Sequence, residues 1–208
     1  GVAIHEAGLG AVWLPALAAM GLGGLIPLWT YPLLRKLGKF SVADAGAIAA
    51  HYGSVSAVTF IAATNFLKSI HEPFENYASA FLAVMESPAI IVGILLGKVG
   101  LNAQGFDRAA LSRALHEALL GRSIFLLVGA LVVGALCGQA GMQKVEPFFV
   151  VPFQGVLALF LLEMGLVAGV RLSDLKKVGL FLVGFGILVP LCNGALGVLL
   201  GHLIGLGV

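Results

Sequence analysis

The chain has 208 residues, of which 60% are hydrophobic and only 11% are charged, and its mean hydropathy is +1.05. This composition is typical of an integral membrane protein and excludes an ordinary water-soluble domain. The net charge is only +2, so the charge balance does not favour binding to nucleic acid.

Six apolar stretches are each long enough to cross a bilayer as a helix. They are, in chain order, residues 11–34, 45–67, 76–97, 123–143, 147–170 and 178–206. None shows the alternation of polar and apolar residues that a membrane β-strand needs. The sequence therefore predicts an all-α integral membrane fold in direct contact with lipid.

These spans divide into two groups of three. Residues 1–97 hold the first three, preceded by residues 1–4, which we interpret as the end of an earlier helix in a longer protein. Residues 123–208 hold the second three, and residues 98–122 form a polar connector between the groups. Apolar residues at helical spacing within 106–120 predict an amphipathic helix on the inner membrane surface, although a solvated connector fits equally well.

The basic residues predict the orientation in the membrane. Ten of the 12 Lys and Arg residues fall in the loops after the first, third and fifth spans, and only Lys68 and Lys144 fall elsewhere. Because cytoplasmic loops carry an excess of basic residues, those three loops are predicted to be cytoplasmic.

A polar break interrupts the second span at His51, Gly53, Ser54, Ser56 and Thr59. Such groups are tolerated at membrane depth only inside protein or beside a wet cavity. The glycine relaxes the helix, the hydroxyls can ligate a small cation or donate to an anion, and a half-helix starting there directs its positive end at an anion. Plain packing stays open for any single hydroxyl, and the histidine either lines the site or satisfies a carbonyl. The break predicts the substrate and ion site of a transporter.

Two acids lie deep within spans, where carboxylates are costly. Glu86 precedes Pro88, which frees a backbone carbonyl, and is predicted to bind a cation or proton; the alternative is a protonated acid bonded between helices. A direct role for Glu163 stays open. Asn65 and Asn193 are expected to join helices through hydrogen bonds.

Enzymatic motifs are incomplete. The His-Glu pairs that begin at His5, His71 and His116 lack the second His, four positions on, that a zinc protease needs, and no phosphate-binding loop is present. We therefore expect a protein that is not an enzyme and needs no cofactor.

A weak repeat relates the two groups of spans. Residues 21–28 and 184–191 share two glycines and a proline at an offset of 163. Five spans separate the starts of the two copies, so they would cross the membrane in opposite directions. That is the inverted-repeat architecture of many secondary transporters, although chance is the alternative.

Taken in order, several motifs resemble those of the sodium-dependent bicarbonate transporters of cyanobacteria and other bacteria. The matching stretches are residues 53–59 (Gly-x-Val-Ser-x-x-Thr), 86–88, 115–121, 164–166, 175–178 and 189–190. The resemblance implies ten spans in two inverted five-helix repeats with discontinuous crossover helices. About six of the ten spans are present in this sequence. The resemblance also implies sodium-coupled bicarbonate uptake across the bacterial inner membrane.

By position, the resemblance implies that Gly53, Ser54, Ser56 and Thr59 border the bicarbonate and sodium site and that Glu86 lies near it. The hydroxyls of Ser56 and Thr59, with Glu86, are the expected sodium ligands. The resemblance further implies a homotrimer and a soluble PII-like regulator on the cytoplasmic face.

One departure keeps the substrate open. Ala57 and Val58 stand where the cyanobacterial stretch often has Gly-Ser, so one hydroxyl is missing. The alternatives are a sodium-coupled transporter of another small carboxylate, or a membrane scaffold or sensor that binds a cytosolic partner through residues 98–122.

Overall fold

The computed structural model describes residues 1–101, 120–170 and 175–206, together with positions 109, 112, 116 and 172. The described residues are mostly helical. The helices are α1 (Val2–Ala7), α2 (Leu9–Lys36), α3 (Val42–Gly53), α4 (Ala57–Ser69), α5 (Ser79–Leu101), α6 (Arg122–Phe149), α7 (Phe153–Val170) and α8 (Leu175–Leu203), with a 3-10 turn, Asn76–Ala78, before α5.

Within these described ranges, six segments are long and apolar enough to cross a membrane. They are Leu9–Lys36, Val42–Ser69, Asn76–Lys98, Phe125–Phe149, Phe153–Val170 and Gly179–Leu203. The predicted all-α, multi-pass membrane architecture is therefore confirmed. The inverted repeat, the ten spans and the division into two groups stay predictions.

The boundary between the fourth and fifth spans differs from the sequence prediction. The fifth span was expected to begin at residue 147, but α6 continues through Pro147 to Phe149 and α7 begins at Phe153. Proline removes the hydrogen bond of its own amide, and its ring crowds the carbonyl four residues earlier. The amides of Val150 and Val151 still donate to the Glu146 carbonyl, at 2.9 and 3.1 Å, so the last turn stays closed.

Helices α2, α3 and α5 pack closely together because small residues lie where they meet. A β-carbon added to Gly46 of α3 would lie 3.0 Å from the Gly93 carbonyl oxygen of α5. One added to Gly23 of α2 would lie 2.6 Å from the Met85 carbonyl oxygen of α5. The second span therefore packs tightly, through α3, against α2 and α5.

Helix α8 joins this group through aromatic and aliphatic contacts. Phe185 and Val189 are buried against Leu34, Ala45 and Ala49 of α2 and α3. By contrast, the described part of α7 has no buried residue. Helix α8 therefore packs against α3, the first half of the broken span.

Helix α6 contains a break that the sequence analysis did not identify. Gly138 lies in the left-handed region, with φ 57° and ψ −160°. The His5 side chain of α1 lies beside it, and its Nδ1 donates to the Ala135 carbonyl at 2.8 Å. The histidine of α1 therefore hydrogen-bonds a carbonyl of α6 three residues before the break.

The predicted amphipathic connector falls largely outside the described residues. Of residues 102–119, the structure describes only positions 109, 112 and 116. The connector and its proposed partner-binding role therefore stay predictions.

Candidate functional site: a cleft at the broken span

The second span is two helices, as the polar break predicted. Helix α3 ends at Gly53 and α4 begins at Ala57. Ser54 (φ −95°, ψ 163°) and Ser56 (φ −72°, ψ 123°) have extended backbones. The discontinuity exposes the carbonyl end of one half-helix and the amide end of the other within one membrane span.

Serine hydroxyls close both helix ends at the break. Ser54 Oγ donates to the His51 carbonyl at 3.0 Å, and the Ser54 amide donates to the same carbonyl at 3.3 Å. Ser56 Oγ accepts from the Thr59 amide at 3.3 Å, which makes it the N-cap of α4. Because Ser56 Oγ uses a lone pair in that bond, its own O–H is available to a ligand.

Two further amides of α4 contribute to the same end. Ala57 and Val58 occupy the first turn of the helix, where backbone amides have no intrahelical acceptor. The positive end of the α4 dipole lies at this turn, and the negative end of the α3 dipole lies across the break. Such a pair of ends suits an anion on one side and a small cation on the other.

Gly53 is needed here because of close packing. Its φ is not positive, unlike those of Gly138 and Gly179. A β-carbon added to it would lie 2.7 Å from the Gly23 carbonyl oxygen and 2.8 Å from the Ala89 β-carbon. The sequence predicted that Gly53 relaxes the helix; the structure adds that it lets the break approach the backbone of α2 and a side chain of α5.

A cleft of about 740 Å³ opens at the break, and its walls come from α2, the α3–α4 break, α5 and α8. The polar or partly polar residues around it are His51, Tyr52, Ser54, Ser56, Thr59 and Asn193. Much of the remaining wall is apolar, with Val55, Phe60, Phe81 and Met85 among its members. A few polar groups in a mainly apolar cleft are typical of small-ligand sites.

The structure brings together four of the six predicted site residues. His51, Ser54, Ser56 and Thr59 line the cleft, and Gly53 is buried beside it. Glu86 does not line this cleft, although Met85, its neighbour in α5, does. The roles of all six residues, including sodium ligation by Ser56, Thr59 and Glu86, stay predictions.

Two cleft residues were not expected from the sequence to belong to the site. Asn193 of α8 donates from Nδ2 to the Tyr52 carbonyl at 3.5 Å, consistent with the predicted interhelical role. The Tyr52 ring packs edge-on against Phe185 of α8, with 5.0 Å between ring centroids. Tyr52 lies inside the polar stretch that marked the break, but no local pattern places Asn193 opposite it.

A multi-pass helical membrane protein with a broken span beside a cleft has an architecture that membrane transporters use. Comparison with protein families supplies the particular assignment. The family model of the Na+-dependent bicarbonate transporter superfamily matches residues 1–208, and the chain belongs to this superfamily. A comparison with curated proteins found no match. The resemblance inferred from the motifs is therefore confirmed at the level of the superfamily.

Proposed function

We propose that the protein is a secondary transporter that imports bicarbonate with sodium across the bacterial inner membrane. The observation that carries the proposal is the break between α3 and α4, where Ser54, Ser56 and Thr59 line one cleft with His51. Membership of the superfamily supports bicarbonate and sodium as the ligands.

The two sides of the break suit the two ligands. The O–H of Ser56 and the first-turn amides of α4 would donate to the bicarbonate oxygens, and the helix dipole favours the negative charge there. Sodium is a hard cation, and the carbonyl end of α3 supplies the oxygen ligands that hard cations prefer. Bound close together, the two ions would partly neutralise each other, which couples their affinities.

A second substrate class is favoured by the size and lining of the cleft. Its volume of about 740 Å³ far exceeds what a four-heavy-atom anion fills, and the wall that includes Val55, Phe60 and Phe81 is apolar. A small organic carboxylate with an apolar body would use the same amides and hydroxyls. Import of such a carboxylate with sodium is therefore the second candidate.

The remaining expectations rest on the family resemblance. On that resemblance, the proposal includes a homotrimer and a PII-like regulator that binds the cytoplasmic face. No enzymatic step and no organic cofactor enter the proposed cycle, and sodium acts as the coupling ion.

Uptake of labelled bicarbonate tests the proposal. The protein would be produced in a bacterial strain that lacks its own bicarbonate uptake, and uptake would be measured with sodium and with choline. Ser56→Ala removes both a cleft hydroxyl and the cap of α4. Ser41→Ala is the matched control, because Ser41 Oγ caps α3 by accepting from the Asp44 amide at 3.1 Å and does not line the cleft.

The expected result is sodium-dependent uptake that Ser56→Ala abolishes and Ser41→Ala preserves, with both variants inserted in the membrane. Equal losses in the two variants would assign the effect to helix capping rather than to the site. Absence of bicarbonate uptake with either cation would overturn the bicarbonate assignment. Labelled small carboxylates would then be assayed with the same variants.

A further inference from the structure

The side-chain amide of Asn193 has a hydrogen-bond partner for its nitrogen but none for its oxygen. It lies on the cleft, on the α8 wall facing the break. Its Nδ2 donates to the Tyr52 carbonyl of α3 at 3.5 Å, whereas its Oδ1 is buried and has no hydrogen-bond partner. A buried amide oxygen without a partner opposes folding, so such an atom needs an explanation.

The orientation of this amide follows from its partner. The Tyr52 carbonyl can only accept, so the group that contacts it must be the NH2 of Asn193. Turning the amide over would place two oxygens against each other. The unpartnered atom is therefore an acceptor, which a donor group or a cation would complement.

The amide is also held loosely. A donor–acceptor distance of 3.5 Å is at the upper limit for a hydrogen bond, so this bond restrains the side chain weakly. Nδ2 carries two hydrogens and donates one of them to the Tyr52 carbonyl, which leaves one N–H beside the unpartnered Oδ1. Oδ1 has almost no accessible surface in this structure, so the Asn193 side chain must turn before a ligand in the cleft can contact it.

We propose that Asn193 determines anion specificity by accepting the hydrogen of the bicarbonate hydroxyl on Oδ1. This inference rests on the proposed function and names which anion the site prefers. Bicarbonate carries one O–H beside oxygens that only accept, and the free N–H and Oδ1 of one amide can pair with an adjacent oxygen and hydroxyl. Planar anions without a hydroxyl, such as nitrate, leave Oδ1 unpaired.

The discrimination has a physical basis. A site built to hydrogen-bond a substrate hydroxyl rejects an analogue that lacks it, because the buried protein group then stays unpaired. The amides and hydroxyl at the start of α4 serve bicarbonate and nitrate alike, since both are small planar anions. Asn193 lies on a different helix from these groups and adds the contact that separates the two anions.

The test compares bicarbonate with nitrate in two matched variants. Labelled bicarbonate uptake gives the KM, and its inhibition by nitrate gives the nitrate Ki. Asn193→Leu replaces the amide by an apolar group of similar size. Asn65→Leu is the control, because Asn65 lies in α4 and does not line the cleft. Asn193→Ala, which needs less space, replaces the leucine variant if that variant fails to insert.

We expect Asn193→Leu to raise the bicarbonate KM about tenfold or more and to leave the nitrate Ki near the wild-type value, so that discrimination falls by the same factor. Asn65→Leu should change neither. The inference is overturned if KM and Ki rise together, or if the variant changes the sodium requirement and preserves discrimination. Wild-type protein that shows no bicarbonate uptake would instead overturn the proposed function along with this inference.

Discussion

The backbone of Gly53 passes so close to Gly23 that a β-carbon on Gly53 would lie 2.7 Å from the Gly23 carbonyl oxygen. The contact joins the end of α3 to the middle of α2. Real β-carbons essentially never approach a backbone oxygen so closely, so a larger residue must displace one of the two helices. The position of the break therefore depends on glycine.

Gly53→Ala should destabilise the protein by about 1–3 kcal/mol, because the added methyl group would collide with a backbone oxygen, which cannot move aside as a flexible side chain can. Thermal unfolding of the detergent-purified protein measures the effect. Gly165→Ala, in α7, is the control, since no described atom other than those of its chain neighbours and the local helix backbone lies within 4 Å of its added carbon. Coincident unfolding midpoints for the two variants would contradict the packing argument.

Gly138→Ala should also destabilise, by about 1–3 kcal/mol, but for a conformational reason. The φ of 57° and ψ of −160° at this position lie outside the regions that alanine adopts readily. Gly129→Ala in the same helix is the control, because its φ is not positive and no described atom other than those of its chain neighbours and the local helix backbone is within 4 Å of the added carbon. If both variants unfold alike, the break in α6 does not depend on glycine.

Phe185→Leu should lower stability by about 0.5–1.5 kcal/mol beyond the loss of contact area, because it removes an aromatic pair. The Phe185 ring is 5% exposed and packs edge-on against Tyr52. Phe125→Leu is the control, because it makes the same change at a side chain that is 66% exposed in this chain. A larger effect at Phe125 than at Phe185 would contradict the buried contact between α8 and α3.

Val55→Cys should react with a small, charged thiol reagent when Cys137 and Cys192 are replaced by serine. Val55 lines the cleft, where water can generate the reactive thiolate. Bicarbonate with sodium should slow the reaction by occupying the cleft. Leu161→Cys, on the exposed apolar surface of α7, should stay unreactive because a thiolate is disfavoured in lipid.

Protection of Val55→Cys that requires bicarbonate and sodium together would support coupled binding. Equal reaction rates with and without the two ions would place the substrate elsewhere. A fast reaction at Leu161→Cys would show that this face of α7 meets water rather than lipid.

Local sequence was enough to predict the spans and the break. A span depends on the length of an apolar run, and the six predicted spans agree with the six found among the described residues to within several residues at each end. The break follows from a glycine and hydroxyl-bearing residues in the middle of such a run. Ser54 and Ser56 form caps at the helix ends there, as serine commonly does.

Packing between distant helices could not be predicted in the same way. Gly138 occurs within an ordinary apolar run, and the His5 side chain that hydrogen-bonds the Ala135 carbonyl beside its break lies 130 positions away in the chain. Glu86 occupies a span next to the site, yet its neighbour Met85 is the one that reaches the cleft. Helix rotation decides which of two adjacent residues faces a neighbouring element.

By itself, the sequence determined that this is a helical membrane protein of the bicarbonate transporter superfamily with a polar break in its second span. Those properties depend on residue type and spacing within single segments and on the order of short motifs. Only the tertiary structure decided that α8 completes the cleft, that Asn193 lies 3.5 Å from the Tyr52 carbonyl, and that Glu86 stays off this surface. These relations join residues as far as 141 positions apart, and they arise from how helices pack rather than from any local pattern.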